Sequence, residues 1–256
     1  MELRPLGRTG IDVAPIGFGA FKIGRNQKTK YAEAYELPTD REVETLLDGI
    51  LEAGINLIDT APAYGTSEQR IGDWLRRSGC REEVVLCSKV GERFEDGRSD
   101  YAFDRESVNR SIDESLRRLG VERIDLVSVH SDGRDLEIIR NTEVLETIAE
   151  RKARGDIRLT GFSGKTLEGH RAVLGASPMV DVLMIELNPL ETAQAPLLFE
   201  AQRCGVGLLV KKGLGSGRLE ASQALPWLLA HEEISSVVVG GLSLGNVRRN
   251  VSMARR

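Results

Sequence analysis

Cysteine is scarce in this 256-residue chain: Cys80, Cys87 and Cys204 are its three, and none sits in a CxxC pair. An odd, widely spaced set excludes a disulfide framework and a zinc site, and it suits a reducing compartment. Charge of one sign is also lacking. Lys plus Arg is 35 against 39 for Asp plus Glu, a formal balance of -4. No basic stripe is interleaved with aromatics, so no nucleic acid is expected as a partner. No apolar run approaches the roughly 18–20 residues that cross a bilayer. The opening MELRPLGRTG has no apolar stretch of the kind a secretory signal needs. No proline-rich linker, charge block or low-complexity tract divides the chain. These absences leave the expectation of a cytoplasmic protein, one domain over 1–256, without metal, acting as a monomer or weak homo-oligomer.

What is present is a regular alternation. Two short segments around Gly7 and Gly10 predict a small hairpin, and Ile16–Gly19 predicts a first strand. A long polar segment, 21–38, with Tyr31 and Tyr35, has the place of a lid or pocket wall. From residue 40 apolar runs follow helical patterns: strands at 55–59, 84–88, 124–129, 157–162, 181–187, 206–210 and 236–239. The helices between and after them are predicted at 40–53, 67–78, 104–119, 141–154, 165–175, 191–203, 220–231 and 244–254. Eight strands, each followed by a helix, imply a parallel sheet, and at this length a closed (β/α)8 barrel of the TIM type.

Ligands of such folds bind at the C-terminal ends of the strands. There the sequence puts Asp59, then Tyr64 in the following loop, Lys89 and His130. Each alone has a bland reading as a turn cap, surface aromatic, loop lysine or satisfied histidine. Three ionisable groups at three successive strand ends make that reading much weaker. The set suits proton transfer coupled to carbonyl reduction. A free phenol has a pKa of about 10. Lowering it by about two units needs about 3 kcal/mol from a neighbouring ammonium, so Lys89 is expected to bring Tyr64 down. Asp59 keeps Lys89 charged, and a neutral His130 donates to the substrate oxygen. No side chain carries a hydride, so a nicotinamide cofactor is required.

The stretches DTAPAYGTSEQRIGDWL (59–75), VVLCSKVG (84–91) and SIDESLRRLGVERIDLVSVH (111–130) resemble the aldo/keto reductase superfamily. Weaker agreement runs through residues near the start, 155–163, 205–217 and 237–250. The resemblance implies a (β/α)8 barrel that interconverts carbonyls and alcohols on small molecules with NADP(H) or NAD(H). Tyr64 is then the general acid/base, Lys89 and Asp59 its tuning pair, and His130 the carbonyl orienter. It also implies a cofactor shell of Gly19, Ala20, Ser163, Gly164, Leu187, Lys211, Lys212, Leu214, Gly215, Gly240, Gly241, Leu242, Asn246 and Asn250.

That shell departs from the family pattern. Gly164 stands where an amide follows Ser163, Met184 replaces a Gln, and Leu187 is aligned with a stacking aromatic. Lys212, Gly213 and Leu214 replace Ser-Pro-Leu. The stretch 240–246 carries no cation for a 2′-phosphate, although Arg248 and Arg249 follow; Lys211 or Lys212 is the alternative source of charge. The last predicted helix ends beside Arg256, so the pocket wall is expected from 21–38 and from a loop at 91–103 bearing Phe94, Tyr101 and Phe103. His170 and His231 are expected at the surface, Trp74 and Trp227 in the core, and GLGSG (213–217) is a weak phosphate-cradle candidate. Two other functions stay open on the residues: a catalytically weak nucleotide-binding barrel, and a Schiff-base lyase using Lys89.

Overall fold

Short β-branched runs capped by polar turns govern the architecture of the computed structural model, which describes residues 1–29, 34–176 and 180–254. Strands β1 (Arg4–Pro5) and β2 (Asp12–Val13) form the expected antiparallel hairpin. The chain then runs through β3 (Ile16–Gly19), α1 (Asp40–Glu52), β4 (Leu57–Asp59), α2 (Ser67–Ser78) and β5 (Val85–Val90). A second hairpin, β6 (Glu92–Glu95) and β7 (Arg98–Tyr101), precedes α3 (Arg105–Leu119) and β8 (Ile124–His130). Next come α4 (Asp135–Asn141), α5 (Val144–Arg154), β9 (Ile157–Ser163), α6 (Leu167–Gly175) and β10 (Val182–Glu186). The rest is α7 (Pro196–Cys204), β11 (Gly207–Lys211), α8 (Ala221–Leu229), β12 (Ser236–Gly240) and α9 (Leu244–Met253).

Eight of these strands close a parallel barrel in the order β3, β4, β5, β8, β9, β10, β11, β12, and β12 returns to β3 with Gly240 opposite Gly19. The fold is the expected (β/α)8 barrel with an N-terminal hairpin. Alternation along each strand divides the core in two. Leu57, Cys87, Leu126, Leu159, Met184 and Leu209 fill the barrel, and Leu6, Ile11 and Val13 of the first hairpin plug its lower end. Ile58, Leu86, Val127, Leu183 and Ile185 face outward onto the helices. Helix starts follow local chemistry. At α1, Thr39 accepts from the Glu42 N–H while Glu42 reaches back to the Thr39 N–H, a reciprocal capping box.

Several expectations are corrected. Residues 91–103 form a hairpin instead of a loop, because Asp96 (φ 49°) and Gly97 (φ 75°) make a two-residue turn between alternating side chains. The helix expected at 141–154 begins at Val144, and a separate, unexpected helix α4 precedes it over 135–141, ending where Thr142 turns its hydroxyl back to the Ile138 carbonyl. The helix expected from 191 starts at Pro196, after a bridge between Asn188 and Glu191. His170 is fully buried, with its ring nitrogens facing the carbonyls of Thr166 and Met184. Trp74 is in the core as expected, whereas Trp227 is exposed and meets His231 edge to face. Of segment 21–38, Tyr31 lies outside the described residues, and the Tyr35 hydroxyl bonds the Arg25 carbonyl. Among the described residues no helix is long and apolar enough to cross a membrane.

Helices α2 and α3 meet at Gly72, where an added Cβ would lie 2.3 Å from the Arg118 carbonyl oxygen. Gly72→Ala therefore sets helix propensity, worth about 1 kcal/mol in favour of alanine, against backbone overpacking of about 1–3 kcal/mol. The expected outcome is a lower urea midpoint with unchanged slope; a raised midpoint would contradict this close approach.

Candidate active site

The four side chains expected at the barrel mouth do converge there. Asp59 ends β4 between Gly19 on β3 and Cys87 on β5. Lys89, on β5, donates from Nζ to both Asp59 carboxylate oxygens at 2.6 and 2.7 Å and to the Thr60 carbonyl at 2.8 Å. Its side chain is 2% exposed. Tyr64 is held by its loop. Gly65 has φ +60°, and a Cβ there would lie 2.3 Å from the Gly24 carbonyl, so the turn requires glycine. The Ser67 hydroxyl bonds the Ala20 carbonyl at 2.9 Å and the Thr60 hydroxyl at 2.9 Å, fastening this turn to the segment after β3. The Tyr64 ring then stands edge-on to Phe21 and to His130, at centroid separations of 5.1 and 6.2 Å. Lys89 Nζ lies 4.9 Å from the ring centre.

The electrostatics differ from the expectation in one respect. Burial pushes the Tyr64 phenol up, Lys89 pulls it down and Asp59 pushes it up again, with a net rise to about 12. Lys89 does not bring the phenol toward neutrality because burial outweighs its pull, and Asp59 offsets part of its charge. Burial pulls the Lys89 ammonium down, but Asp59 and Tyr64 more than offset this and hold it above the ordinary lysine value. Lys89 is thus a poor amine nucleophile, which removes the support for the Schiff-base reading.

Two groups at the mouth were not anticipated. Glu92, first residue of the second hairpin, puts Oε2 2.9 Å from His130 Nδ1. The approach is short but leaves Nδ1 without a well-directed hydrogen bond. Glu92 Oε1 accepts from the Ser99 hydroxyl at 2.7 Å and lies 3.9 Å from Arg25. Arg25 is itself buried. It donates to the Ala63 carbonyl at 3.0 Å, and its guanidinium carbon lies 3.3 Å from the Phe94 ring centre. Arg25 therefore ties the Tyr64 loop to the hairpin. The Asp96-Gly97 turn was the available sequence signal for this hairpin and so for Glu92.

The expected cofactor residues also lie on the C-terminal face, in three groups. Gly19 pairs with Gly240 across β3 and β12, beside Ala20 and Gly241; nothing stands within 4 Å of where a Gly241 Cβ would go. At the end of β9, Ser163 Oγ and the Gly164 carbonyl both accept from Lys211 Nζ, at 2.9 and 2.8 Å. Gly164 is required by packing, since a Cβ would meet Phe162, His170 and Asp135. Leu214 and Gly215 enter the turn Gly215–Gly217, while Leu242, Asn246 and Asn250 belong to the α9 end, which Ser243 caps at the Asn246 N–H. Leu187 is fully buried among core residues. Lys211 is turned inward, and Lys212 is paired with Glu186.

The donor set fits a nicotinamide dinucleotide. The start of α9 presents backbone N–H groups suited to phosphate, whereas the Gly215 and Gly217 N–H groups are bonded within their turn to the Lys212 and Leu214 carbonyls; Arg218, Arg248 and Arg249 are close in sequence. Lys211 places an N–H donor beside Ser163, where a family member has an amide. Met184 fills the barrel interior and offers no polar atom for the missing Gln.

The profile of the Aldo/keto reductase family matches residues 15–226. L-galactose dehydrogenase of Arabidopsis thaliana is 30% identical over 98% of this chain and 88% of its own length. A solved Pseudomonas aeruginosa chain assigned to the aldo-keto reductases superposes with a TM-score of 0.89 and 42% identity, covering 98% of this chain and 94% of that one. The holo form of an aldo-keto reductase from Bacillus halodurans gives 0.85 and 25% identity, over 100% and 91%.

Lys211 generates a test of this geometry. Burial, then Lys212 and Lys89, lower its amine to about 7 from the ordinary 10.5. The unfolded lysine keeps its proton up to about 10.5, so this group penalises folding fully below pH 7 and progressively less from there to 10.5. Replacing it by Lys211→Met removes that penalty. Whatever offset the two lost hydrogen bonds add, the melting temperature of the variant minus that of wild type is expected to fall as pH rises from 7 to 10. A pH-independent difference would show that the amine stays ionised.

Proposed function

The chain belongs to the aldo/keto reductase family, and from that premise we propose that it interconverts a carbonyl and an alcohol on a small polar substrate with NADP(H) or NAD(H), Tyr64 exchanging the proton at the substrate oxygen. The observation that carries this reading is the placing of the Tyr64 phenol between the Asp59–Lys89 pair and His130 at the barrel mouth. A bound nicotinamide dinucleotide supplies or accepts the hydride, which no side chain here can do. Ser163, Gly164 and Lys211 are assigned to its nicotinamide end, Gly19 and Ala20 to the adjoining wall. Gly215, Gly240, Gly241, Leu242, Asn246 and Asn250 are assigned to its phosphates and adenosine.

With a pKa of about 12, Tyr64 is proton-loaded at neutral pH. It can therefore donate to a substrate oxygen that gains negative charge as a carbonyl is reduced. Lys89 stabilises the phenolate left behind, and Asp59 keeps that ammonium in place. His130 lies on the other side of the phenol and contacts the same oxygen. The polar groups of Glu92 and Tyr101 on the second hairpin suit a hydroxylated substrate. The plant relative, named for L-galactose, supports a sugar and an alcohol-oxidising direction.

Intrinsic fluorescence titrated separately with NADPH and NADH is expected to show saturable binding of at least one. Tyr64→Phe is expected to retain that binding within about threefold and to lose about 10²–10⁴-fold in turnover, the ordinary range for a lost acid–base group. No binding of either nucleotide at millimolar concentration, or a fully active Tyr64→Phe, would overturn the proposal.

A further inference from the structure

Lys89 and Lys211 both stand at strand ends of the barrel mouth, but their charges are balanced differently. Lys89 Nζ has both oxygens of Asp59. Lys211 Nζ donates to Ser163 Oγ at 2.9 Å and to the Gly164 carbonyl at 2.8 Å, two neutral acceptors, and has no ion-pair partner among the described residues. The charged and titratable groups that face it are Lys212 beside it, Lys89 from β5, Glu186 from β10 and Lys165 after β9, with His130 from β8 and His170 from α6. Strand β12, on its other side, carries no ionisable residue. Glu186 is paired with Lys212, and Asp135, beyond Gly164, accepts from the backbone N–H groups of Lys165 and Thr166. An ammonium held in this way is an uncompensated charge.

That charge borders the reacting centre. Ser163 stands opposite His130 in the register of β8 and β9, and the His130 ring meets Tyr64 edge to face. A nicotinamide ring that exchanges hydride with a carbon whose oxygen contacts Tyr64 therefore lies beside Lys211 Nζ. The two redox forms of that ring differ by one charge: the oxidised ring is a cation and the dihydro ring is neutral. Like charges shielded from water repel strongly. We propose that Lys211 is the residue by which this site tells the two forms apart: as an ammonium it admits the reduced nucleotide, whereas the oxidised nucleotide binds with release of the lysine proton to solvent. This inference rests on the function proposed above.

The hydrogen bonding accommodates both states. An ammonium has three N–H donors, of which Ser163 and Gly164 take two, leaving the third for a ligand carbonyl such as the carboxamide oxygen. A neutral amine keeps two N–H donors for the same two acceptors and turns a lone pair toward the ligand. The side chain need not move when its proton leaves. Burial and the neighbouring lysines bring the amine to about 7, so that proton exchanges near neutrality. A side-chain amide in this place would make its hydrogen bonds without a charge and treat the two redox forms alike. The lysine supplies the same kind of donor and adds the charge.

Calorimetric titration of the full-length protein in two buffers of different ionisation enthalpy counts the protons, with whichever pair binds, NAD⁺ and NADH or NADP⁺ and NADPH. At about pH 6 the oxidised form is expected to release close to one proton per site and the reduced form none. The ratio of the oxidised Kd to the reduced Kd is expected to fall about tenfold between pH 6 and pH 8, the change for a single group that titrates near 7. Lys211→Gln keeps a donor and removes the charge. It is expected to bind both forms with equal proton counts and to change that ratio less than about twofold over the same range. His130 is still present in this variant, so a pH dependence that persists there would assign the effect to the histidine and overturn the proposal. Equal proton counts for the two forms in the wild-type protein would overturn it without any variant that must fold. Absence of binding by either nucleotide would defeat the function proposed above, whereas binding of both with equal proton counts defeats this inference alone.

Discussion

The buried ion pair between Lys89 and Asp59 is the constraint on which the rest of the mouth depends. Removing two charges from water carries a penalty of several kcal/mol per ion that only good geometry offsets. Here the ammonium meets both carboxylate oxygens and the Thr60 carbonyl. The pair therefore fixes the ends of β4 and β5 relative to each other and holds the first residue of the turn that carries Tyr64. Losing either partner would strand a charge in the interior, which typically destabilises by about 3–5 kcal/mol. The same compensation limits what Lys89 does to the phenol. An ammonium already neutralised by Asp59 exerts a smaller field, so burial decides the Tyr64 value.

Much of this was legible in the sequence, and the parts that were not have a common cause. Each barrel strand is a short apolar run closed by a glycine-stopped or capped helix, which are local signals. Asp59 and His130 end their strands, so strand assignment alone was enough to bring them together. Glu92 escaped because β6 and β7 are mostly charged and polar, with single aromatics at Phe94 and Tyr101 and no apolar run; the Asp96-Gly97 pair was the one clue. His170 escaped because a helix pattern does not say which neighbour covers a face. It is buried against β10, where its ring meets the Met184 carbonyl. The phenol's raised value needed burial and the Asp59–Lys89 distances together, neither of which is local.

The altered cofactor shell is also coherent as packing. Gly164 leaves no room for a side chain, because Phe162, His170 and Asp135 close on it. The amide that usually follows Ser163 would not fit there. Lys211 reaches the same place from β11 and occupies Ser163 and the Gly164 carbonyl. A donor from β11 thus stands where a donor from the loop after β9, two strands away, is absent. Lys212 is drawn to Glu186, so the charge at the end of β11 is spent within the protein instead of on an anion.

The mouth finally holds its titratable groups in different proton states by environment, a general means of running acid and base chemistry near neutrality. Burial keeps Tyr64 protonated, the Asp59 pair keeps Lys89 protonated, and burial with Lys89 and Lys211 keeps His130 neutral despite Glu92. The Tyr64 and His130 rings stand 6.2 Å apart between centres, edge to face. Under the proposed function, a substrate oxygen placed between them receives its proton from the Tyr64 phenol in reduction and returns it to the same phenol oxygen, held as phenolate by Lys89, in oxidation. Direction would then be set by which nucleotide and which substrate are supplied, not by rearranging the site.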